Sequence, residues 1–378
     1  MIKCLLVVPR WSDLETLLPL SGRPYLDLFL HGLGVSDIAT LEVDPEEPFD
    51  PNDTSPEYGL IIAQGEHGGR LRRSFISNLG LSLGLDGEES DQLRVLGAKR
   101  LETAAGVTAG FAVRRRGRMV AFCEHSIWEV RHDLVSTIRT FLEEERSERR
   151  RRAPSCWMVE GGSKKPDLSD LTEGELCLNC TLQSMPGGDW AMTLPASMGP
   201  EVRQRVEERL GESLYAKEPV FLEEEVARIF RESGLRLAVA ESCTSGLVSA
   251  RLASVPGSSA FLLGGVVAYA NALKQGLLEV PESLVQSCGA VSMEVALSMA
   301  RGVQRTTEAD MGLSITGIAG PDGGSEEKPV GTVFMAAVSR WGKVMERSFR
   351  FPGDRNRIRQ QASQAGLHLL RHLLAAGI

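Results

Sequence analysis

The sequence predicts an α/β protein: two α/β domains, with sheets flanked by helices, joined by a small α+β middle domain. Short apolar runs of the buried-strand type alternate with helical spacing near both ends of the chain, and strands that alternate with helices form parallel sheets. In addition, 378 residues exceed one ordinary core and fit two or three domains of roughly 150 residues.

The first domain is assigned to residues 1–150. The runs IKCLLVV and YGLIIAQG are typical of buried strands, and GRLRRSFISNLGLSLGL shows helical spacing between glycines. Near its end the charge reverses in EEERSERRRRAP, residues 143–154. This segment is compatible with a nucleic-acid patch. We favour a solvated helix end, because Glu145 and Arg149 are spaced i,i+4 and arginine suits a helix C-terminus.

A linker at residues 151–168 and the middle domain at residues 169–218 follow. The segment EGGSKKPDLSD is typical of a flexible connector. A PGGD turn between two strand-like runs predicts a hairpin, and PEVRQRVEERLGES predicts a helix that packs with it on a neighbouring unit. We interpret Cys177 and Cys180 as strand neighbours rather than a zinc site, because no second pair or histidine follows at suitable spacing.

The C-terminal domain, residues 219–378, has a regular α/β pattern. Helix FLEEEVARIFRESG leads into strand LRLAVA, helix GLVSARLASV, strand GGVVAYA and helix ALKQGLLEV. Ser292 can cap a further helix, which is followed by strand MGLSIT, a glycine-rich loop and strands TVFMAAVS and KVMERSFRF. A closing helix begins at about Asp354.

Composition excludes several classes of partner. The formal net charge of −8 gives no general attraction to nucleic acid or anionic lipid, so we expect neither as a partner. No segment has about 18 consecutive apolar residues, and the start lacks a signal-peptide core, which predicts a cytoplasmic protein without a membrane contact. Seven scattered cysteines are typical of a reducing compartment, and we expect no metal or cofactor.

Ser242 is placed like a nucleophile in the stretch AVAESCTSGL. It follows a predicted strand and precedes a helix, and ligands of doubly wound sheets bind at the carboxyl ends of strands. The free N–H groups of the following helix suit an oxyanion or a phosphate. His368 and His372 lie far along the chain and are interpreted as partly exposed residues of the closing helix, which argues against a Ser-His-Asp triad.

Lys274 is the alternative base for this serine. It lies in the first turn of the helix that follows strand GGVVAYA, so it meets Ser242 if the two strands are neighbours. A lysine base must lose its proton, and partial burial and a helix N-terminus both act in that direction. From spacing alone, a solvated lysine is the more usual interpretation of a lysine early in a helix.

Two further segments contain potential anion ligands. The loop TGIAGPDGGSEEKPVG, residues 316–331, can cradle an anion with its main-chain N–H groups and Lys328, or can be a mobile connector. Arg355 in FPGDR opens the last helix, where it can bind a phosphate or carboxylate or lie in solvent.

These stretches together resemble the C-terminal domain of the CinA family, the nicotinamide mononucleotide deamidases. The motifs AESCTSG, YANALK, TGIAGPDGGSEEKPVGTV and FPGDR occur in the family order across about residues 220–378. The resemblance implies an amidohydrolase that converts nicotinamide mononucleotide to nicotinic acid mononucleotide and ammonia. The expected small-molecule partner is the pyridine nucleotide substrate. We also expect the chain to form a homodimer.

The resemblance further implies roles for individual residues. Ser242 is expected as the nucleophile, Lys274 as its general base, and Tyr269 as a residue that assists proton transfer or orients the lysine. The expected substrate-binding residues are Thr244, Gly246, Asn271, Thr316, Gly317 and Arg355. Ser245 departs from the family's glycine, which costs on the order of 1 kcal/mol if its φ is positive.

Residues 1–150 resemble the family's molybdopterin-binding-like first domain only weakly. In the family this domain is linked to a metal-dependent ADP-ribose pyrophosphatase activity, but its acidic and glycine-rich loops are replaced here by PRWSDLETLL, QGEHGGRLRR and CEHS. We therefore expect that activity to be absent. Two rival functions remain: binding of a nucleotide without turnover, and retained pyrophosphatase activity.

Overall fold

The computed structural model describes a mixed α/β chain with several sheets flanked by helices, which confirms the predicted fold class. The described residues are 2–9, 30, 35–44, 46–65, 69–85, 93–103, 107–124, 131–149, 155–161, 166, 180–185, 187–195, 197–218 and 220–377. Within these ranges no helix combines the length and the apolar character needed to cross a membrane.

The first sheet belongs to the N-terminal third of the chain. Its region contains strands β1 Ile2–Pro9, β2 Val35–Val43, β3 Tyr58–Gly65, β4 Ser82–Leu85, β5 Leu93–Leu96, β6 Lys99–Glu102, β7 Thr108–Arg115 and β8 Arg118–Glu124, with helices α1 Arg70–Asn78 and α2 Arg131–Arg149. The sheet order is β2-β1-β3-β8-β7-β6, and β4 and β5 form a separate hairpin.

This sheet is only partly parallel, which corrects the all-parallel expectation. Strands β2, β1, β3 and β8 run parallel to one another, whereas β7 pairs antiparallel with both β8 and β6. The physical reason is the two-residue turn between β7 and β8, where Arg116 and Gly117 have φ values of 49° and 75°. A turn with two positive φ values joins antiparallel strands.

The loops that underlie the expected loss of pyrophosphatase activity lie largely outside the described residues, at 10–29, 66–68 and 125–130. That expectation therefore stays a prediction, as does the division of the chain into domains. The interpretation of Cys177 and Cys180 as neighbours in one strand also stays a prediction, because Cys177 is outside the described residues.

The middle sheet corrects the linker prediction at residues 151–168. It contains strands β9 Ser155–Val159, β10 Thr181–Ser184, β11 Trp190–Leu194 and β12 Leu214–Ala216, and helix α3 Pro200–Leu210 follows β11. The order is β10-β11-β9-β12, so a central strand lies inside the predicted connector. The short run SCWMV pairs with β11 and β12, from later in the chain, and its side chains pack into two different apolar clusters, Cys156 and Met158 into one and Trp157 and Val159 into the other.

The last sheet follows the predicted order of elements closely. Its elements are α4 Leu222–Ser233, β13 Leu237–Glu241, α5 Leu247–Ala253, β14 Leu262–Val267, α6 Asn271–Leu278, α7 Glu282–Cys288, α8 Met293–Thr307, β15 Met311–Gly317, β16 Thr332–Ser339, β17 Val344–Arg350 and α9 Arg355–Ala375. Among these, α7 is an addition that the sequence pattern did not predict. Ser292 caps α8 as expected, because its hydroxyl accepts a hydrogen bond from the N–H of Val295.

The order β14-β13-β15-β16-β17 puts β13 and β15 inside the sheet. Apolar side chains of α4, α5 and α9 pack on one face, and those of α6 and α8 pack on the other. All five residues of β13 are buried, as expected for a strand covered on both faces. Three parallel strand ends, those of β14, β13 and β15, therefore meet at one edge.

Candidate active site

The strand register brings the predicted site segments together. Glu241, the last residue of β13, lies opposite Val267 of β14 and Ile315 of β15. The N–H of Ser242 then donates to the carbonyl of Ile315 at 2.9 Å, and the N–H of Ala268 donates to the carbonyl of Glu241 at 2.8 Å. The two strands that carry Ser242 and Lys274 are thus direct neighbours, which is the condition that the sequence prediction required.

Ser242 and Lys274 meet at this edge. The Lys274 Nζ lies 3.2 Å from the Ser242 Oγ, 2.9 Å from the carbonyl oxygen of Ala268 and 3.1 Å from that of Tyr269. The lysine is only 2% exposed and the serine 8% exposed. Because side chains of an α-helix point toward its N-terminus, a lysine one turn into α6 reaches back to the strand end. The two groups are within direct proton-transfer reach.

The surroundings of Lys274 favour its neutral form. Burial lowers the pKa of the amine below its ordinary value, and the nearby Cys243 opposes this effect. A neutral amine has two N–H donors and one lone pair. The carbonyls of Ala268 and Tyr269 can accept the two N–H groups, which leaves the lone pair for the hydroxyl proton of Ser242. The three partners therefore match the hydrogen bonding of a lysine that acts as a base.

Cys243 is a second potential nucleophile in the same turn. Burial raises the pKa of its thiol to about 12, although the N–H groups of Cys243 and Thr244 act in the opposite direction. A thiol with this pKa is protonated at neutral pH, and the thiolate is the reactive form. The chemistry of the turn therefore favours the hydroxyl of Ser242.

The N-terminus of helix α5 is not open to a ligand, which corrects the expectation for an oxyanion there. The Glu241 carboxylate accepts the N–H groups of Val248 and Ser249 at 3.1 and 2.8 Å and the Ser249 hydroxyl at 2.6 Å. A buried carboxylate at this position satisfies the first turn of the helix. Among the described residues, the N–H groups of Cys243, Thr244 and Gly246 have no carbonyl acceptor, although those of Cys243 and Thr244 interact with the Cys243 thiol.

Ser245 has the positive φ that the sequence analysis considered for this position. Its φ is 52° and that of Gly246 is 89°, so two consecutive residues of the turn are left-handed. The Cβ of a serine in this region costs on the order of 1 kcal/mol. The Ser245 N–H nevertheless donates to the carbonyl of Ser242, which closes the turn around the nucleophile.

Tyr269 and Arg355 form the rim of the site. Arg355 Nη2 donates to the Tyr269 hydroxyl at 2.9 Å, and Nη1 donates to the carbonyl of Gly320 at 2.7 Å. The phenol is 55% exposed, so Tyr269 orients Lys274 through its main-chain carbonyl while its ring faces solvent. Asn271, the first residue of α6, is also exposed at this rim.

The other expected substrate-binding residues lie at the same strand ends but differ in their contacts. The buried Thr316 hydroxyl donates to the carbonyl of Ala290 at 2.9 Å. Gly317 lies against β16, where a Cβ would come within 2.7 Å of Val333 Cγ2. Thr244 is fully buried, and its hydroxyl has no partner among the described residues.

Lys328 is committed to the protein rather than to an anion, which corrects its expected role. Its Nζ donates to the carbonyls of Cys288 and Val291, both at 2.8 Å. These bonds fix the glycine-rich loop to the segment between α7 and α8. The loop is thus anchored at its C-terminal side, while residues 321–327 are exposed.

Of the two histidines of the closing helix, His372 is partly exposed, as interpreted from the sequence, whereas His368 is buried. His368 is 4% exposed, and its Nε2 lies 2.9 and 3.0 Å from the two carboxylate oxygens of Asp189. His372 Nε2 lies 2.7 Å from the Glu160 carboxylate. Both partners lie next to strands of the middle sheet, more than 170 positions earlier, so no pattern local to the helix reveals them.

Arg359 is a site residue that sequence reasoning missed. Its Nη2 donates to the carbonyl of Thr244 at 3.0 Å. The available signal was its i,i+4 spacing from Arg355, which puts both guanidinium groups on one face of α9. Among the described residues, no cluster of three or more His, Cys, Asp or Glu side chains is arranged to hold a metal ion.

The C-terminal region of the chain matches a known protein family. The family model described as the CinA C-terminal domain matches residues 220–374. The crystal structure of the competence/damage inducible protein CihA from Agrobacterium tumefaciens is 39% identical and covers 41% of this chain and 97% of that one, with a TM-score of 0.40. The chain belongs to the CinA family.

Curated CinA relatives match mainly through the same region. A CinA-like protein of Geobacter sulfurreducens is 48% identical over 169 residues, which are 45% of this chain and 41% of the relative. A CinA-like protein of Geobacter sp. strain M21 is 36% identical over 275 residues, or 70% of this chain and 64% of the relative. The matches thus span about two fifths to two thirds of these relatives' lengths.

Proposed function

We propose that the C-terminal unit of this CinA-family chain hydrolyses the amide of nicotinamide mononucleotide to nicotinic acid mononucleotide and ammonia. The observation that carries this proposal is the buried Lys274 amine 3.2 Å from the Ser242 hydroxyl. Its chemistry supports acyl transfer by a serine and a lysine. The pyridine nucleotide is the substrate that the motif resemblance implies.

The first half-reaction forms an acyl-enzyme. The neutral amine of Lys274 accepts the hydroxyl proton of Ser242 while the Oγ attacks the amide carbonyl carbon. The N–H groups of the 243–246 turn without a carbonyl acceptor are suited to the resulting oxyanion. The Lys274 ammonium then protonates the leaving nitrogen, the C–N bond breaks, and ammonia departs.

The second half-reaction reverses these proton transfers. Lys274, neutral again, removes a proton from water, whose oxygen attacks the ester carbonyl carbon. The bond to Ser242 Oγ breaks, and the serine regains its proton from the lysine. The released acid is nicotinic acid mononucleotide. In this proposal Arg355 contacts the phosphate of the substrate and Tyr269 contacts the pyridine, which is supported by their contact with each other at the exposed rim.

Ammonia release from nicotinamide mononucleotide tests the proposal directly. We expect turnover by the wild type, and a loss of at least about a thousand-fold in Ser242→Ala and Lys274→Met, because each removes a reacting group. Lys343→Met is the matched control, since Lys343 is an exposed lysine in the turn after β16, at the opposite edge of the sheet. Full activity in Lys274→Met with an intact fold would contradict the base assignment.

Binding without turnover is a second candidate, and the left-handed Ser245 in the nucleophile turn is the observation that favours it. Isothermal titration calorimetry with nicotinamide mononucleotide separates the two. Tight binding without ammonia release would support a sensor, whereas release would support the amidase. The homodimer remains a prediction, which light scattering on the purified chain tests.

A further inference from the structure

Arg359 links the closing helix to the main chain of the nucleophile turn. Its Nη2 donates to the Thr244 carbonyl at 3.0 Å, across 115 positions of sequence. The same carbonyl accepts the N–H of Leu247 at 3.2 Å. A hydrogen bond from a guanidinium group is roughly twice as strong as one between neutral groups, so Arg359 provides the stronger of the two.

Other groups of the turn are bonded to β15 or within the turn itself, whereas the Thr244 carbonyl is bonded to α9. The Ser242 N–H is held by Ile315 and the Ser245 N–H by the Ser242 carbonyl. The peptide between Thr244 and Ser245 joins a buried residue to the strained Ser245, whose φ is 52°. By fixing the Thr244 carbonyl, Arg359 opposes rotation of this peptide and keeps that oxygen directed at α9.

Arg359 also brings positive charge to the turn. Its guanidinium is one of the groups that act to lower the pKa of the Cys243 thiol, next to the nucleophile. The Arg359 Nε and the Thr244 hydroxyl are both buried without a hydrogen-bond partner among the described residues. A fixed positive charge beside a turn favours negative charge that develops there during a reaction.

We propose that Arg359 is a positioning residue for the Ser242 nucleophile, which holds the turn through the Thr244 carbonyl and supplies positive potential for the oxyanion. The assignment rests on the proposed amidase function. It goes beyond the site motifs, because Arg359 lies outside FPGDR and contacts the turn rather than Ser242 or Lys274. Arg359 therefore affects kcat more than KM.

The test compares Arg359→Gln and Arg359→Lys with the wild type. Arg357→Gln is the matched control, since it removes the same charge from an exposed position two residues earlier in the helix. One readout is kcat and KM for ammonia release from nicotinamide mononucleotide. The other is the rate at which a fluorophosphonate probe modifies Ser242, followed by mass spectrometry. Circular dichroism confirms folding of each variant.

For Arg359→Gln we expect kcat to fall about 10- to 100-fold with KM within about two-fold, and the rate of probe modification to fall in parallel. Arg359→Lys should recover part of both losses, and Arg357→Gln should match the wild type. If Arg359→Gln does not fold, Arg359→Lys still carries the test, with an expected loss of several-fold in both rates.

Two results would overturn the assignment: unchanged kcat and probe modification in both Arg359 variants, or a rise in KM alone, which would indicate a substrate contact. The two proposals fail separately. A wild type that reacts with the probe but releases no ammonia would refute the substrate, while the probe still tests Arg359. A wild type whose Ser242 does not react with the probe and releases no ammonia would refute both.

Discussion

Lys274 illustrates how the site depends on the surroundings of single side chains. An exposed lysine is an ammonium ion at neutral pH and cannot accept a proton. Here the side chain is 2% exposed, and its amine faces two carbonyls and the hydroxyl of Ser242. Burial is the main cause that lowers the pKa of this amine, which is the direction that the proposed role as a base requires.

The pH dependence of activity follows from this environment. Because burial lowers the Lys274 pKa below 10.5, kcat/KM for ammonia release should rise with pH, with the midpoint of the rise below 10.5. Initial rates between pH 6 and 10, at substrate concentrations well below KM, measure this limb. A limb centred at or above 10.5 would show that the amine titrates like an exposed lysine.

The same pKa shift also makes the free energy of unfolding depend on pH, and this effect can be measured without an activity assay. A lowered folded-state pKa contributes stability that is present above 10.5 and is lost as pH falls through the folded-state pKa. Lys274→Met should lack this decline. The difference in free energy of unfolding between variant and wild type should therefore grow as pH falls from 10.5, and denaturant titrations at several pH values measure it.

Among the elements, helices α4, α5 and α9 are joined by a buried polar contact behind the nucleophile turn. Arg251 of α5 is 4% exposed and donates to Glu223 at 2.7 Å, to Ser363 at 2.9 Å and to Gln364 at 2.6 Å. Because α5 follows the turn directly, this contact fixes the helix whose first turn Glu241 caps.

Removal of the Glu223 carboxylate from its pair with Arg251 should lower the free energy of unfolding. Glu223→Gln removes the carboxylate that pairs with the buried Arg251, so we expect the free energy of unfolding to fall by about 3–5 kcal/mol. Glu232→Gln is the control, because its pair with Arg228 on the same helix is exposed and is worth at most about 1 kcal/mol. Urea denaturation at neutral pH compares them. Equal effects of the two substitutions would contradict a stabilising buried pair.

At the scale of the whole molecule, carboxylates next to strands of the middle sheet join this sheet to α9. Asp189, 2% exposed, accepts the N–H of Gly161 at 2.9 Å and the Gln364 amide at 2.5 Å and lies beside His368. Since Gln364 also contacts Arg251, the polar network continues from the middle sheet to helix α5. Residues 187–189 thus lie against the closing helix.

Asp189→Asn tests this connection. Burial raises the pKa of Asp189, but the His368 ring, the Gly161 N–H and the Gln364 amide outweigh it and hold the pKa below its usual value of 3.8. Its contribution is therefore present above pH 3.8 and is lost as pH falls through the lower folded-state value. Of the neighbouring groups, His368 contacts Asp189 and also faces Glu160, which in turn pairs with Arg371 and His372.

We expect Asp189→Asn to lower the free energy of unfolding at pH 7 by about 1.5–3 kcal/mol, the contribution of hydrogen bonds to a charged group. The variant should also lose less stability on acidification than the wild type. Asp322→Asn, an exposed aspartate of the glycine-rich loop, is the control. Thermal and urea unfolding at pH 7 and pH 3 measure both effects, and equal acid sensitivity of all three proteins would contradict the role of Asp189.

Apart from α7, the strands and helices of residues 220–377 were predictable because their signals are local. Apolar periodicity, glycines and the Ser292 cap lie within each element, and the placement of Ser242 and Lys274 needed only that two consecutive strands pair. The sequence did not reveal β9 as a strand, because its pairing partners β11 and β12 come from later in the chain.

The sequence by itself determined the order of the α/β elements, the strand ends that carry Ser242 and Lys274, and membership of the CinA family. Only the tertiary structure decided how side chains are used: Glu241 caps α5, Lys328 binds carbonyls, Arg359 holds the Thr244 carbonyl, and His368 is buried against Asp189. The physical reason is that hydrogen bonding and burial depend on what lies nearby in space. In three of these cases the decisive partners are 37 to 179 positions away in sequence.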